Sequence, residues 1–299
     1  MKNGNNSPVP IKTWSTPVFA EEKQLVPCAI CGGLSFKPSL ACEGFSYVRC
    51  TNCGLVQMNP QPLEKEIILR YDTRSGEDYL NYELTNEKAF LDLQLLALND
   101  AGFYGFEKAA LGDSASGGKP RVLDIGCATG SLLAVFHERG WETTGIEISG
   151  PQAEYGRQKR NLDIRSLPLE KNVFPAASFN AVLASHLIEH MNNPADMVRE
   201  VRRILSPEGR FFVTTPNISG FQAGLFKGRW RSAIFDHLYL FSMKTLSRLL
   251  SENGFTIEKA ATWGGLAAGI APPLVKRFFD KNAKRFGFGD VMILRAALL

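Results

Sequence analysis

The sequence lacks a long apolar run, a strong charge excess and a large set of histidines. Its 299 residues carry a formal net charge of +4, which alone does not indicate a nucleic-acid-binding protein. The first residues, MKNGNNSPVPIK, have no apolar core of a secretory signal, and no later run approaches the roughly 18 apolar residues of a membrane span. We therefore expect a cytoplasmic globular protein with no transmembrane segment and no nucleic-acid partner.

Cysteine is scarce as well, yet five of the six cysteines fall between residues 25 and 58. Four of them form two C-x2-C pairs, CAIC and CTNC, with 18 residues between the pairs. Four thiolates at this spacing suit a tetrahedral zinc ion with no open coordination position, which favours a structural role. An iron centre of the rubredoxin type and unmetallated turns are the alternatives, and Cys42 is a candidate substitute ligand. The predicted zinc ligands are Cys28, Cys31, Cys50 and Cys53.

The chain divides by composition into four segments. Residues 1–20 are polar and contain several prolines, which predicts disorder, and residues 21–60 hold the cysteine module. Residues 61–112 carry apolar side chains at helical spacing, which predicts a helical lid or linker. Over residues 113–299, strand-like and helix-like stretches alternate. Such alternation predicts an α/β domain with a parallel sheet covered by helices on both faces.

A glycine-rich turn follows the first strand-like stretch of this domain, in the sequence RVLDIGCATG. Gly126 and Gly130 allow a tight turn, and the helix that follows offers unpaired backbone N–H groups to a ligand. Glu147 comes 21 residues after Gly126, at the end of the next strand-like stretch, where a carboxylate can accept both hydroxyls of a ribose. The two features together predict a site for a nucleoside-containing cofactor.

The same turn resembles motif I of class I S-adenosylmethionine-dependent methyltransferases, written here as VLDIGCATG. The likeness continues through GIEIS, FNAVLASHLIEHMNNPADMVREVRRILSPEGRFFVTTPN and HLYLFSMKTLSRLLSENGF, and it includes the cysteine module followed by LVQMNPQP. It covers most of residues 25–299 and points to the bacterial branch with an N-terminal four-cysteine zinc-binding segment. The resemblance implies a Rossmann-like, seven-stranded, mostly parallel sheet whose last strand is reversed, and S-adenosylmethionine as the cofactor.

The resemblance also assigns residues to this cofactor. Glu147 would hold the ribose, and Ile148 would pack on the adenine. Ser166 and Leu167 would lie near the adenine edge. Asn180 stands where relatives often have aspartate, which we expect to affect the end of the strand more than the chemistry. The other predicted cofactor contacts, most of them around the methionine part, are Asp124, Gly126, Cys127, Ala128, Gly130 and Ser185.

Two of the four histidines stand in SHLIEH (185–190), directly after a predicted strand. Three interpretations are open. In the first, Glu189 and His190 hydrogen-bond the loop backbone and support the wall of the cofactor site. In the second, His186 or His190 is a general base that deprotonates an acceptor hydroxyl, which suits an imidazole pKa of about 6.5. In the third, four residues bind a divalent metal: His186, Glu189, His190 and the distant His237. Similar patterns in small-RNA 2′-O-methyltransferases and some ubiquinone-pathway O-methyltransferases imply this role.

The stretch FKGRWRSAIFDHLYLFS (226–242) brings cationic and aromatic residues together. We interpret Arg229, Trp230 and His237 as acceptor contacts, because they suit a phosphate next to a ring, as in a sugar nucleotide. The alternative is a solvated loop that Trp230 anchors.

Two further segments could contact ligands. Tyr71, Tyr79 and Tyr82 are candidates for a lid over the cofactor, and Tyr79 is also a tentative substrate contact; ordinary packing is the alternative. Residues 273–287 form a basic amphipathic stretch that suits an anionic membrane surface. A solvated helix face packed by phenylalanines is the favoured interpretation of that stretch.

These features predict an S-adenosylmethionine-dependent methyltransferase of small molecules. The favoured acceptor is a hydroxyl of a sugar, a sugar nucleotide or a glycan intermediate, with C- and N-methylation left open. One alternative is an RNA 2′-O-methyltransferase, which the cysteine module and the histidine pattern favour and the modest charge opposes. The other is a non-catalytic scaffold that binds a partner through its cysteine module.

Overall fold

The computed structural model describes residues 22–63, 74–113, 118–266 and 272–299. The disorder predicted over residues 1–20 and the prediction for Tyr71 lie outside these ranges. The strands are β1 (Lys23–Gln24), β2 (Phe36–Cys42), β3 (Phe45–Cys50), β4 (Val56–Met58), β5 (Gln61–Pro62), β6 (Arg121–Ile125), β7 (Glu142–Ile146), β8 (Asp163–Arg165), β9 (Phe179–Ser185), β10 (Leu205–Pro216), β11 (Tyr239–Leu240), β12 (Phe255–Trp263) and β13 (Val291–Leu298). The α-helices are α1 (Arg74–Asp100), α2 (Phe103–Asp113), α3 (Ser131–Glu138), α4 (Gly150–Arg160), α5 (Pro194–Ile204), α6 (Phe221–Phe226), α7 (Met243–Glu252) and α8 (Pro273–Phe286).

The larger sheet has seven strands in the order β12-β13-β10-β9-β6-β7-β8. Neighbouring strands from β10 to β8 run parallel, whereas β13 pairs antiparallel with both β10 and β12. Parallel strands need covered faces, and β9 (FNAVLAS) is accordingly buried along most of its length. The predicted Rossmann-like sheet with a reversed last strand is confirmed.

Alternate residues of the central strands enter two separate cores. Val182 and Ala184 of β9 pack with side chains of α5 and α7, whereas Ala181 and Leu183 pack with side chains of α1 to α4. This period of two places helices on both faces of the sheet, as predicted. Asn180 accepts a hydrogen bond from the backbone N–H of Arg121 at 2.9 Å, so it joins the starts of β6 and β9 and has a structural role.

Capping residues set the starts of the helices that follow the sheet strands. Asn193 precedes α5, and its side-chain oxygen accepts from the backbone N–H of Asp196 at 3.4 Å, while Pro194 occupies the first helical position. Ser242 and Thr245 form a reciprocal capping box at the start of α7. These local signals explain why the predicted and observed helices begin at nearly the same residues.

The N-terminal cysteine module builds a second, antiparallel sheet with the strand order β11-β4-β3-β2. Three of its strands come from residues 36–58, but β11 comes from residues 239–240. Side chains of the module, among them Tyr47 and Leu55, share one continuous core with the larger sheet. The module therefore packs as part of the main body, which the sequence pattern did not predict.

Helix α1 confirms the predicted helical segment over its described residues and crosses toward the glycine turn. Glu87 of α1 accepts a hydrogen bond from the Thr129 hydroxyl at 3.1 Å and pairs with Arg160 of α4. Arg160 also donates to the backbone oxygen of Thr129 at 2.9 Å. Among the described helices, none is long and apolar enough to cross a membrane.

Candidate active site and cysteine cluster

The turn after β6 has a backbone that only a glycine-rich sequence adopts easily. Gly126, Ala128 and Gly130 have φ values of 75°, 48° and 76°, in the left-handed region. A Cβ at Gly130 would lie 2.6 Å from Leu162 Cδ1, so a larger residue there would displace the Leu162 side chain. The N–H of Gly126 donates to Ile146 O at 2.8 Å, which joins the turn to the end of β7. Helix α3 starts directly after the turn and directs its free N–H groups toward this edge of the sheet.

Two carboxyl groups lie at the ends of β6 and β7. Glu147 accepts from the backbone N–H of Ala128 at 3.0 Å and from that of Ser149 at 2.8 Å. Burial raises the pKa of Glu147, and burial together with the charge of Glu147 raises the pKa of Asp124 to about 8. Asp124 is therefore mostly protonated at pH 7, and Glu147 is the hydrogen-bond acceptor that contacts the turn.

Exposed apolar side chains stand where the resemblance implies the adenine. Ile148 is 43% exposed and Leu167 is 54% exposed. Ile148 lies just after the end of β7, and Leu167 lies just after the end of β8. Large apolar groups at a cleft edge lose water contact when a flat ring covers them. The hydroxyl of Ser166 accepts from Arg157 at 3.0 Å, which holds it beside α4.

The loop after β9 lies against the glycine turn. A Cβ at Gly126 would approach Leu187 Cδ1 to 3.3 Å, so the two segments are in close contact. His186 has a φ of 52°, uncommon for a residue with a side chain, and its N–H donates to Thr214 O at 2.9 Å. Its side chain is 50% exposed. The loop thus presents an accessible imidazole beside the predicted cofactor site. Ser185, which ends β9, lines a small cavity with Gln94 of α1.

Glu189 is fully buried within this loop. Its Oε2 accepts from the Thr215 hydroxyl at 2.9 Å, whereas its buried Oε1 lies 3.4 Å from His186 Nδ1 and makes no hydrogen bond of good geometry. Burial acts to raise the pKa of Glu189, but the interaction with His186 and the charges of the other nearby histidines outweigh it and lower the pKa to about 2. The loop therefore contains a buried negative charge with one free oxygen.

His190 and His237 pack edge to face beside Glu189, with ring centroids 4.7 Å apart. His190 Nδ1 lies 2.9 Å from Asp236 O, and His237 Nδ1 lies 2.8 Å from Ser232 O. A carbonyl oxygen can only accept, so both Nδ1 atoms carry protons and both Nε2 lone pairs are free when the rings are neutral. Burial and the charge of His190 lower the pKa of His237 to about 4, so this ring is neutral at pH 7.

The predicted four-residue set is only partly brought together. One donor atom each from Glu189, His190 and His237 lies within 4.8 Å of the others. His186 is outside this three-residue group, at the surface beside it. The geometry thus separates a cluster of buried Glu189, half-buried His190 and buried His237 from the accessible His186, a division that the sequence SHLIEH alone could not indicate.

The predicted contact of Trp230 with an acceptor is wrong. Its side chain is 2% exposed, and its indole N–H donates to Asp290, which also pairs with Arg231. A ring of this size gains more from burial with its N–H satisfied than from a solvated position. Arg229 is exposed, so it keeps the predicted access to a ligand.

Helix α1 carries two of the three predicted lid residues, Tyr79 and Tyr82. Tyr79 is 42% exposed, and its ring lies 6.3 Å from that of Tyr82. The contact of Tyr79 with a substrate stays a prediction. Glu87, which joins α1 to the glycine turn through Thr129, was missed because no sequence signal relates residues 42 positions apart.

The four predicted zinc ligands converge. The Sγ atoms of Cys28 and Cys53 lie 3.3 Å apart, those of Cys31 and Cys50 lie 3.6 Å apart, and all four fall within 4.8 Å of one another. Zinc–sulfur bonds of about 2.3 Å place tetrahedral sulfurs about 3.8 Å apart, so the cage fits this ion. The N–H of Leu55 points at Cys53 Sγ at 3.5 Å after Gly54, whose φ is 85°. Cys42 is not part of the cluster.

Comparison with known proteins agrees with this architecture. Residues 90–260, more than half of the chain, match the family model described as a methyltransferase domain. The chain belongs to this methyltransferase family. It is 29% identical over 103 residues to a ubiquinone biosynthesis O-methyltransferase of Idiomarina loihiensis, and 28% identical over 104 residues to one of Acinetobacter baumannii. Both matches cover 32% of this chain, and they span 42% and 44% of the relatives' lengths.

Among solved structures, an S-adenosylmethionine-dependent methyltransferase from Archaeoglobus fulgidus is similar with a TM-score of 0.52 and 18% identity. That match covers 72% of this chain and 99% of the other. At this identity the likeness concerns the fold, and it agrees with the class I strand order of the larger sheet. The predicted methyltransferase family and the predicted fold are therefore confirmed, whereas the branch with a zinc-binding segment and the acceptor stay predictions.

Proposed function

We propose that this protein transfers the methyl group of S-adenosylmethionine to a hydroxyl oxygen of a small molecule. The observation that carries the proposal is the close contact between the glycine turn and the loop after β9, where Gly126 meets Leu187. A donor on the glycine turn would have its reactive end beside an accessible imidazole. In open α/β sheets, ligands bind at this carboxyl edge of the strands.

Several of this chain's groups would hold the donor. Glu147 would accept the ribose hydroxyls, Ile148 and Leu167 would cover the adenine, and the glycine turn would contact the methionine part. The free N–H groups of α3 suit the carboxylate of that part. Cys127, Ala128 and Ser185 stay proposed contacts from the same resemblance. When bound, the donor supplies an activated methyl group on a sulfonium cation, so the protein mainly aligns the acceptor and excludes water.

The acceptor is proposed to be an alcohol or phenol. Curated relatives named as O-methyltransferases support oxygen as the acceptor atom. The sugar or sugar-nucleotide class now rests on exposed Arg229 alone, because buried Trp230 offers no ring to stack on. His186 is the better candidate for the general base: its imidazole is half exposed, while His190 Nδ1 is engaged by a backbone oxygen.

A second role for the loop is favoured by a specific observation: Oε1 of Glu189 makes no hydrogen bond, and it clusters with the imidazoles of His190 and His237, whose Nδ1 atoms face backbone carbonyls. Imidazoles oriented by backbone carbonyls at Nδ1, beside a carboxylate, suit a divalent transition metal, which Glu189, His190 and His237 would hold. A cation there would favour the alkoxide form of the acceptor by its charge. His186 is not part of this proposed ligand set.

The four-cysteine cluster is proposed to hold structural zinc through Cys28, Cys31, Cys50 and Cys53. Its fit rests on the sulfur geometry and on the closed, four-thiolate donor set. The segment limits of 21–60 for the module, 61–112 for the lid and 113–299 for the donor-binding domain stay proposals as well.

A two-part experiment tests the function. Calorimetry should detect binding of S-adenosylmethionine and of its demethylated product to the wild-type protein, and absence of both would overturn the proposal. Transfer of a radiolabelled methyl group is then screened against phenols, sugars, sugar nucleotides and RNA. Activity that survives chelation, with zinc retained, and is lost in His186→Gln supports the base. Activity lost with chelator and restored by Mg²⁺ or Mn²⁺ supports the metal.

A further inference from the structure

The cysteine module contacts the segment 226–242 at three separate points. This segment carries Arg229 and His237 and lies about 180 residues after the module in the chain, so its position depends on tertiary contacts. Ordering each residue of the segment costs about 1–2 kcal/mol of conformational free energy. Contacts with the rest of the protein must offset this cost for the segment to have a fixed geometry. The three contacts identify what fixes it.

The first contact is a shared sheet. Strand β11 pairs antiparallel with β4, with Tyr239 opposite Gln57 and Leu240 opposite Val56. The N–H of Met58 donates to Leu238 O at 2.8 Å, and the N–H of Leu238 donates to Glu189 O at 2.8 Å. A continuous chain of backbone hydrogen bonds therefore runs from the module through the segment to the buried glutamate.

The second contact is the hydroxyl of Tyr47, whose side chain is 1% exposed. The hydroxyl oxygen lies 2.7 Å from Ile234 O and 2.8 Å from His237 O. One phenolic proton is shared between two carbonyl acceptors, and it holds both ends of the turn that carries His237. The ring of Phe45 adds an edge contact to Phe235, with centroids 5.6 Å apart.

The third contact is a close approach at Gly228. A Cβ at this position would overlap with the carbonyl oxygen of Ala41 in β2, so only glycine lets the segment lie this near to the module. Gly224, four residues earlier in α6, has open space where its Cβ would be. Neither glycine has a left-handed backbone, so the two differ only in the space available to a methyl group.

We propose that the cysteine module is the scaffold of the acceptor site, and that Tyr47 is a positioning residue that sets the place of His237 through the backbone of residues 234–237. The inference rests on the proposed function only where it calls this region an acceptor site. The positioning itself depends on the contacts above. It gives the module a task beyond stability, since loss of its structure would displace one imidazole of the Glu189–His190–His237 cluster.

The test uses the whole protein and its four histidines, which give few side-chain signals in long-range ¹H–¹⁵N spectra. Histidine-to-glutamine variants assign the signals. In the wild type, His237 should show one sharp set of signals with the proton on Nδ1. Tyr47→Phe removes only the hydroxyl, and Gly228→Ala adds one methyl group. Both should broaden or shift the His237 signals, while those of exposed His137 in α3 stay unchanged.

Tyr104→Phe and Gly224→Ala are the matched controls, and both should leave His237 as in the wild type. Zinc content should stay the same in all four variants, and the Kd of the demethylated cofactor product should change by less than about twofold, because the glycine turn is not touched. If Tyr47→Phe lowers the melting temperature but leaves the His237 signals unchanged, Tyr47 only stabilises the fold and the proposal is wrong. Failure of the wild type to bind the product would sink the proposed function while the spectra still decide this inference.

Discussion

The proposed donor side and the proposed acceptor side of this site are built in different ways. The donor side consists mainly of consecutive strand–turn–helix units, and all of its proposed residues except Ser185 fall between positions 124 and 167. The acceptor side combines the loop 186–190, the segment 226–242 and the cysteine module, which come from three distant parts of the chain. The contrast indicates that local sequence can specify a nucleotide-type site, whereas the opposing wall depends on long-range packing.

The largest expected effect comes from breaking the module that supports the acceptor side. Cys50→Ser removes a buried thiolate from the four-cysteine cluster, and we expect loss of the metal and a fall in melting temperature of more than about 10 °C, because structural zinc contributes about 10–16 kcal/mol in small zinc domains. Metal analysis and calorimetric scans measure both. Cys42→Ser, outside the cluster, is the control and should keep the metal. Equal metal content in both variants would contradict the assigned ligands.

Acid should destabilise the acceptor side before the donor side. The pKa of His237 is lowered to about 4 in the folded protein, so below its unfolded value of about 6.5 the unfolded chain binds the proton first and stability is lost as pH falls toward 4. The loss from this group is up to about 3 kcal/mol. Glu189, whose pKa is lowered to about 2, adds a further loss as the pH falls from about 4.5 toward 2.

Urea unfolding at a series of pH values measures this slope. His237→Gln should flatten it between pH 6.5 and 4, since the group that takes up the proton on unfolding is gone. His137→Gln, at an exposed position of α3, should leave it unchanged. An unchanged slope in His237→Gln would mean that this imidazole is not held neutral by burial.

On the donor side, Glu147→Gln should weaken S-adenosylmethionine binding by about 10- to 100-fold. The estimate follows from hydrogen bonds to a charged group, each of which contributes about 1.5–3 kcal/mol. Glu142 begins β7, at the opposite end from Glu147, and it pairs with Arg121. The control Glu142→Gln should therefore change the Kd by less than twofold. Calorimetric titration compares the two variants, and similar affinities would remove Glu147 from the ribose site.

The smallest expected effect concerns the surface of the acceptor segment. Arg229→Ala should change the free energy of unfolding by less than about 0.5 kcal/mol, because the side chain is exposed. Lys227→Ala is the control. If the acceptor carries a phosphate, Arg229→Ala should raise the KM for the acceptor and Lys227→Ala should not. That result would distinguish residues that contact the substrate from residues that support the acceptor site.

The sequence predicts the donor side better than the acceptor side. The spacing from Gly126 to Glu147, the two cysteine pairs and the alternation of elements are local signals, and the structure places these residues together. Trp230 was misassigned because an aromatic residue among cations resembles a binding loop, while its burial depends on Asp290, 60 residues later. Tyr47 and His237 are 190 positions apart, and no local pattern relates them.

A crystal structure with the demethylated cofactor product bound tests the central claim most directly. We predict that the ribose hydroxyls contact the Glu147 carboxylate and that the sulfur atom faces the loop 185–190, with His186 or the Glu189–His190–His237 cluster across the gap. A product bound elsewhere, or with its sulfur turned away from this loop, would contradict the proposal that the two sides form one methyl-transfer site.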